Sequence, residues 1–164
     1  MEIKRYGAKE FLAAGKLCIR ENEIHIWCIC WPEMTDFWVN HEYILSGQES
    51  EQVGRFRFSE DRMRYIAGKV VVRLLLKRYL DVETIDFSVS ERGKPYHKKI
   101  AGKQTVDFNI SHSGEFILAG FAVGMDIGVD VQEMAGCPDY REIAGNFYTE
   151  EEAEDGSESH GGGG

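Results

Sequence analysis

The chain has 164 residues, 43% of them hydrophobic, and carries 28 acidic against 19 basic side chains for a formal charge of −9. That length supports one domain, or two small halves sharing a core. The opening Met1-Glu2-Ile3-Lys4-Arg5-Tyr6 lacks a signal-peptide core and no later run reaches the roughly 18 apolar residues of a membrane helix, so a cytoplasmic protein with no membrane partner is expected.

In chain order, Lys16 to Trp31 alternates and predicts strand, turn, strand: Leu17 and Ile19, then Ile24, Ile26, Cys28 and Cys30. With Cys18 and Cys137, these cysteines show no paired CxxC spacing beside histidines, so reduced thiols are expected rather than a zinc site. From Trp31 to Gly54 the composition is aromatic and irregular and predicts a connection with a short helix. Ser59 then opens an amphipathic helix as its cap, with Glu60 and Asp61 at the positive end, apolar Met63, Ile66, Ala67, Val70, Val71, Leu74 and Leu75, and a stop near Leu80.

Beyond it, Thr84 to Ser90 alternates as a strand with Ile85, Phe87 and Val89 on one face, and Arg92-Gly93-Lys94-Pro95-Tyr96 is a turn by composition. Residues 105–111, 116–123 and 126–132 are three further strands, close enough together to predict an antiparallel meander. The class is α+β, an antiparallel sheet packed on the long helix. Residues 139–155 begin helical, and the glycine-rich end has no means of packing; it reads as a linker, an expression scar or a misread end.

The charge is uneven. Arg55, Arg57, Arg62, Arg64, Lys69, Arg73, Lys77 and Arg78 face only Glu60 and Asp61 in their stretch, and Arg92, Lys94, Lys98, Lys99 and Lys103 follow. A local positive field in an acidic chain suits a compact polyanion better than a nucleic acid, and no nucleic-acid partner is expected; a solvated helix face is the alternative. Alternation over Ile127–Gln132 places Gly128, Asp130 and Gln132 on one face, where a carboxylate and an amide oxygen can reach a hard cation and the glycine leaves room for a phosphate. A wet polar strand face gives the same pattern. Ser111, His112 and Gly114 offer phosphate donors at a strand end, or a turn cap and a surface histidine. No G-x-S-x-G elbow marks a serine nucleophile. Lys94, between Gly93 and Pro95, is a lysine on a rigid turn.

Taken in order, Gly93-Lys94-Pro95, the Phe108 to Gly114 segment FNISHSG and the Ile127 to Val131 segment IGVDV resemble the 4′-phosphopantetheinyl transferases of the surfactin-synthetase-activating type, with likeness running from Glu51 to Thr149. The resemblance implies magnesium-dependent transfer of the phosphopantetheine arm of coenzyme A to a serine of an acyl or peptidyl carrier protein, a holo-ACP synthase activity. It implies Asp130 and His112 as catalytic residues, Gly93, Lys94 and Pro95 along the nucleotide, Ser111 and His112 on its phosphates, and Asp130 with Gln132 at the magnesium. Gln132 stands where many members carry a second carboxylate. Gln52 stands where a basic residue is expected, leaving Arg55 or Arg64 as the phosphate contact. The family fold has two similar halves about a pseudo-twofold axis, so residues 1–105 are expected as the N-terminal subdomain, 106–154 as an incomplete C-terminal subdomain carrying the metal site, and 155–164 as a disordered tail. No tryptophan follows Trp38, so the W-x-x-K-E motif of the family is absent and a C-terminally truncated, impaired transferase is expected. The second reading is a non-catalytic remnant that binds coenzyme A or a carrier protein.

Overall fold

The computed structural model describes residues 1–13, 15–124, 127–129 and 147–149. Asp130, Gln132 and Cys137, together with the tail expected at 155–164, lie outside the described residues. The described elements are β1 (Glu2–Tyr6), α1 (Ala8–Ala13), β2 (Glu23–Cys30), a 3-10 turn (Trp31–Met34), α2 (Thr35–His41), a second 3-10 turn (Glu42–Ile44), α3 (Gly47–Arg55), α4 (Ser59–Leu80), β3 (Phe87–Val89), β4 (Pro95–His97), β5 (Val106–Ser113), β6 (Phe116–Val123), β7 (Ile127–Val129) and β8 (Phe147–Thr149). The α+β class is observed.

The main sheet runs β1-β2-β6-β5, with β1 parallel to β2 and the other pairs antiparallel. This differs from the expected meander. β5 and β6 do form a hairpin, closing at Ser113 opposite Phe116, but β6 then lies beside β2, while β7 pairs with β8 in a separate ladder. β5 and β6, beyond residue 105, therefore complete a sheet begun by β1 and β2. The expected strand over Leu17 and Ile19 is also absent. Ile19 is buried, so the alternation marks loop packing, and the loop backbone is tied to α4 by the Leu17 N–H donating to the Arg78 carbonyl at 3.1 Å. On the side away from β6, β2 pairs instead with β1, a five-residue edge strand with Lys4 and Arg5 in it, too short and polar to stand out by pattern.

α4 occupies the predicted span but not the predicted role of its first residue. Phe58 is the N-cap position, Ser59 is already helical, and no side chain caps the end. Nor does α4 bury a single stripe. Val70, Val71 and Val72 are all buried, because one side packs on Trp27, Ile29, Phe108, Ile117 and Phe121 of the sheet while Phe11 of α1 and Trp38 of α2 join the same core. The stretch from Trp31 to Arg55 is more helical than expected. α3 begins with a capping box in which Ser46 Oγ accepts from the Glu49 N–H and the Glu49 carboxylate accepts from the Ser46 N–H.

β6 is buried at every position, and its two faces serve two clusters: Ile117, Ala119 and Phe121 toward α4, Phe116, Leu118 and Ala122 with Ile24, Ile26 and Cys28 on the other side. The same alternation along β5 sends Val106, Phe108, Ile110 and His112 toward the α4 side, and Asp107, Asn109 and Ser111 to the opposite face.

Candidate functional site

β5 reaches α4 at two fixed points. Gly68 faces Ile110 so closely that an added Cβ would stand 3.5 Å from Ile110 Cδ1. Further along, the Gly114 carbonyl accepts from Arg64 Nε at 3.1 Å and from Trp31 Nε1 at 2.6 Å, and the Arg64 guanidinium lies over the Trp31 ring at 5.7 Å. β5 thus runs back toward the start of α4, and His112, midway between Ile110 and Gly114, is held beside the turn of helix that carries Arg64 and Lys69.

There α3, α4, β3, β4 and β5 enclose a cleft of about 1000 Å³, whose lining includes Arg55, Arg64, Lys69, Arg73, Pro95 and His112. Its arginines are engaged. Arg55 pairs with Glu51 at 2.8 Å, Arg64 with Asp61 at 3.0 Å and Glu60 at 3.3 Å, and Arg73 with Glu49 at 2.8 Å while its guanidinium lies 4.8 Å from the Phe87 ring centroid. The Lys69 ammonium sits 5.4 Å from the Tyr65 ring centroid. Partial desolvation, then the charges of Arg64 and Lys69, hold the His112 imidazole below its ordinary pKa, so near neutrality it is an uncharged donor and acceptor.

A second cavity of about 610 Å³ adjoins the first, sharing Pro95 and Phe108 and opening on Lys94. The expected rigid turn is present. Gly93 takes φ +84°, its N–H donates to the Ser90 carbonyl at 2.9 Å, the Ser90 N–H donates to the Lys94 carbonyl at 2.9 Å, and the Lys94 N–H donates to Ser90 Oγ at 3.1 Å. Buried His97 fixes the turn to the sheet: Nε2 accepts from the Val106 N–H at 3.0 Å, so Nδ1 carries the proton and donates to the Lys98 carbonyl at 3.0 Å.

Of the residues singled out in the sequence, Arg55, Arg64, Pro95 and His112 therefore share one cleft, and Lys94 lines its neighbour from the turn that Gly93 makes. Ser111 lies on the other face of β5, so the Ser-His pair straddles the strand. Among the described residues no group of three or more His, Cys, Asp or Glu is placed to hold a metal ion, and the expected ligands Asp130 and Gln132 lie outside them. Lys69, Arg73 and Glu49 went unnoticed as site residues. The first two were visible only as members of a charge cluster, and the third only as the end of an S-x-x-E capping signature.

A family model described as 4′-phosphopantetheinyl transferase, N-terminal, matches residues 30–122, more than half of the chain. Among curated relatives, the chain is 29% identical over 140 residues to the 4′-phosphopantetheinyl transferase HetI of Nostoc sp., covering 84% of this chain and 59% of that protein. It is 35% identical over 113 residues to the 4′-phosphopantetheinyl transferase Sfp of Bacillus subtilis, covering 68% and 48%. The chain thus spans about half the length of the curated relatives it matches. A solved holo-(acyl-carrier-protein) synthase from Bacillus anthracis in complex with CoA (3′,5′-ADP) superposes with a TM-score of 0.46 at 20% identity, over 61% of this chain and 93% of that one, a likeness too slight to argue from.

Proposed function

The chain belongs to the 4′-phosphopantetheinyl transferase family, and from that premise we propose that the cleft between α3, α4 and β5 receives the nucleotide end of coenzyme A for transfer of its phosphopantetheine arm to a serine of an acyl or peptidyl carrier protein. In that reaction the serine oxygen forms a phosphodiester bond to the pantetheine-bearing phosphorus, the pyrophosphate bridge breaks, and adenosine 3′,5′-bisphosphate leaves. The observation that supports it is the convergence of His112 with four cationic side chains on one cleft inside the matched segment. Several fixed donors around a partly dry site suit a compact ligand with three phosphates.

Gly93, Lys94 and Pro95 would line the nucleotide from the adjoining cavity, since the Ser90 turn fixes the lysine backbone and lowers the ordering cost of meeting an anion. His112 would donate to a phosphate from the α4 side of β5, with Arg55 and Arg64 contributing positive field. Ser111 would make its contact from the other face. Asp130 and Gln132 remain the proposed magnesium ligands, and magnesium held there would neutralise charge on the pyrophosphate. No described helix is long and apolar enough to cross a membrane, and a cytoplasmic carrier protein is the proposed partner.

Calorimetric titration with coenzyme A, adenosine 3′,5′-bisphosphate and dephospho-coenzyme A tests this. The first two should bind well and the third more weakly, having lost a phosphate. Equal affinity for all three, or affinity for none, overturns the assignment.

A further inference from the structure

The arginines that crowd the cleft are poor candidates for its phosphate contact, because each already spends its guanidinium on a carboxylate. Arg64 is the extreme case: Nε is taken by the Gly114 carbonyl, Nη1 by Asp61 and Nη2 by Glu60. Turning it toward a ligand would release the β5–β6 turn and separate two ion pairs. Arg73 is tied by Nε to Glu49 and by Nη1 to the Ile85 carbonyl. Arg55 holds Glu51 one helical turn before it.

Lys69 differs. Among the described residues its ammonium makes no ion pair with a carboxylate; it rests against the face of Tyr65, whose ring packs on Phe56 at 5.2 Å between centroids. A ring face fixes an ammonium electrostatically while occupying none of its three N–H groups in an ordinary hydrogen bond. The position is also apt, since Lys69 follows the Gly68 that meets Ile110, two residues from His112 along β5, and both side chains line the same cleft. Its positive charge is felt at the His112 imidazole.

We propose that Lys69, held over Tyr65, is the side chain of α4 that binds a phosphate group of the ligand, from the helix side, opposite a donor from His112 on the strand side. This rests on the transferase reading for the identity of the ligand, though not for the site itself. A phosphate gripped between a helix lysine and a strand histidine is contacted from two directions, which orients it as well as attracts it.

The test is equilibrium binding of adenosine 3′,5′-bisphosphate, with adenosine and inorganic pyrophosphate as further probes, to the wild-type chain and to Lys69→Gln, Lys69→Arg and Lys77→Gln, at low and at physiological salt. Lys77, in the last turn of α4 and away from the cleft, controls for loss of one charge from the same helix. Thermal unfolding of each variant checks that the fold is kept. Lys69→Gln should weaken bisphosphate binding about tenfold and flatten its salt dependence, Lys69→Arg should recover most of the loss, and Lys77→Gln should stay within about twofold. A Lys69→Gln that binds as tightly as Lys77→Gln overturns the proposal while leaving the transferase reading intact. A wild type that ignores the nucleotide yet binds pyrophosphate through Lys69 sinks the transferase reading and keeps the phosphate site. Binding of neither sinks both.

Discussion

At the scale of single residues, the least legible feature of the chain is a buried polar chain across β1, β2 and α4. The Tyr79 hydroxyl accepts from Trp27 Nε1 at 3.0 Å, so its own proton is directed to His25 Nδ1 at 2.6 Å, and the other ring nitrogen of His25 faces Glu23 Oε1 at 3.6 Å. Glu23 takes the Lys4 ammonium at 2.7 Å and the Arg20 N–H at 2.8 Å; chiefly through that lysine, its pKa is lowered to about 2 against the opposing effect of burial. Burial lowers the His25 pKa, so the native ring is neutral. The signs agree. The unfolded histidine takes up a proton below its ordinary value near 6.5, and the unfolded glutamate below about 4.5, before the native groups do, so both favour unfolding as pH falls. Urea midpoints should therefore be level near pH 7 to 8, begin to drop near 6.5 and drop further from 4.5 toward 2, and Glu23→Gln should flatten the lower limb while steepening the upper one, because Glu23 holds the His25 pKa up against burial. A midpoint unchanged from pH 7 to 4 would contradict this. Tyr79→Phe, which strands the Trp27 N–H and the His25 nitrogen, should cost about 1–3 kcal/mol by the same measurement. None of this was readable beforehand, because Glu23 and His25 sit in what looks like plain alternation and their partner Tyr79 comes 54 residues after His25.

Elements divide by length. α4, with 22 residues of dense apolar repeat, could be placed from sequence to within its ends, whereas α3, nine residues with Val53 its one buried side chain, was lost in an aromatic stretch despite its capping signature. The structure gives that signature a second use: Glu49 both closes the cap with Ser46 and holds Arg73 of α4, which in turn reaches the Ile85 carbonyl before β3. One carboxylate thus ties α3 and the β3 hairpin to the helix at the cleft wall. Glu49→Ala should cost about 2 kcal/mol in denaturant unfolding, roughly half from the cap and the rest from the orphaned guanidinium, while Ser46→Ala should cost only about 1. Equal losses would mean that the link to Arg73 contributes nothing. β5 makes a further prediction. A phosphate beside His112 should raise the pKa that desolvation, Arg64 and Lys69 hold down, so nucleotide binding near pH 6.5 should take up a proton and tighten as pH falls. Binding enthalpies in buffers of different ionisation heat read that uptake directly, and His112→Gln should abolish it.

For the whole molecule, the α+β class and the spaced motifs were legible, because alternation and helical periodicity are local signals and the motif order survives in one dimension. The topology was not. Inserting β6 beside β2, with β1 parallel on the far side, depends on pairings between distant segments, and Leu17 and Ile19 imitated a strand because a buried loop needs apolar residues too. The candidate site was half legible for the same reason: Lys94 and His112 could be named, but that the three cleft arginines, Arg55, Arg64 and Arg73, are held by acids of α3 and α4, and Lys69 is not, is a three-dimensional fact. The central claim is that nucleotide phosphates enter the cleft between α4 and β5. Amide chemical-shift mapping of the chain with adenosine 3′,5′-bisphosphate tests it most directly. The predicted result is saturable shifts concentrated at Tyr65 to Lys69, Gly93 to Pro95 and Ile110 to Gly114; saturable shifts confined to other surfaces, with those three segments unmoved, would contradict it.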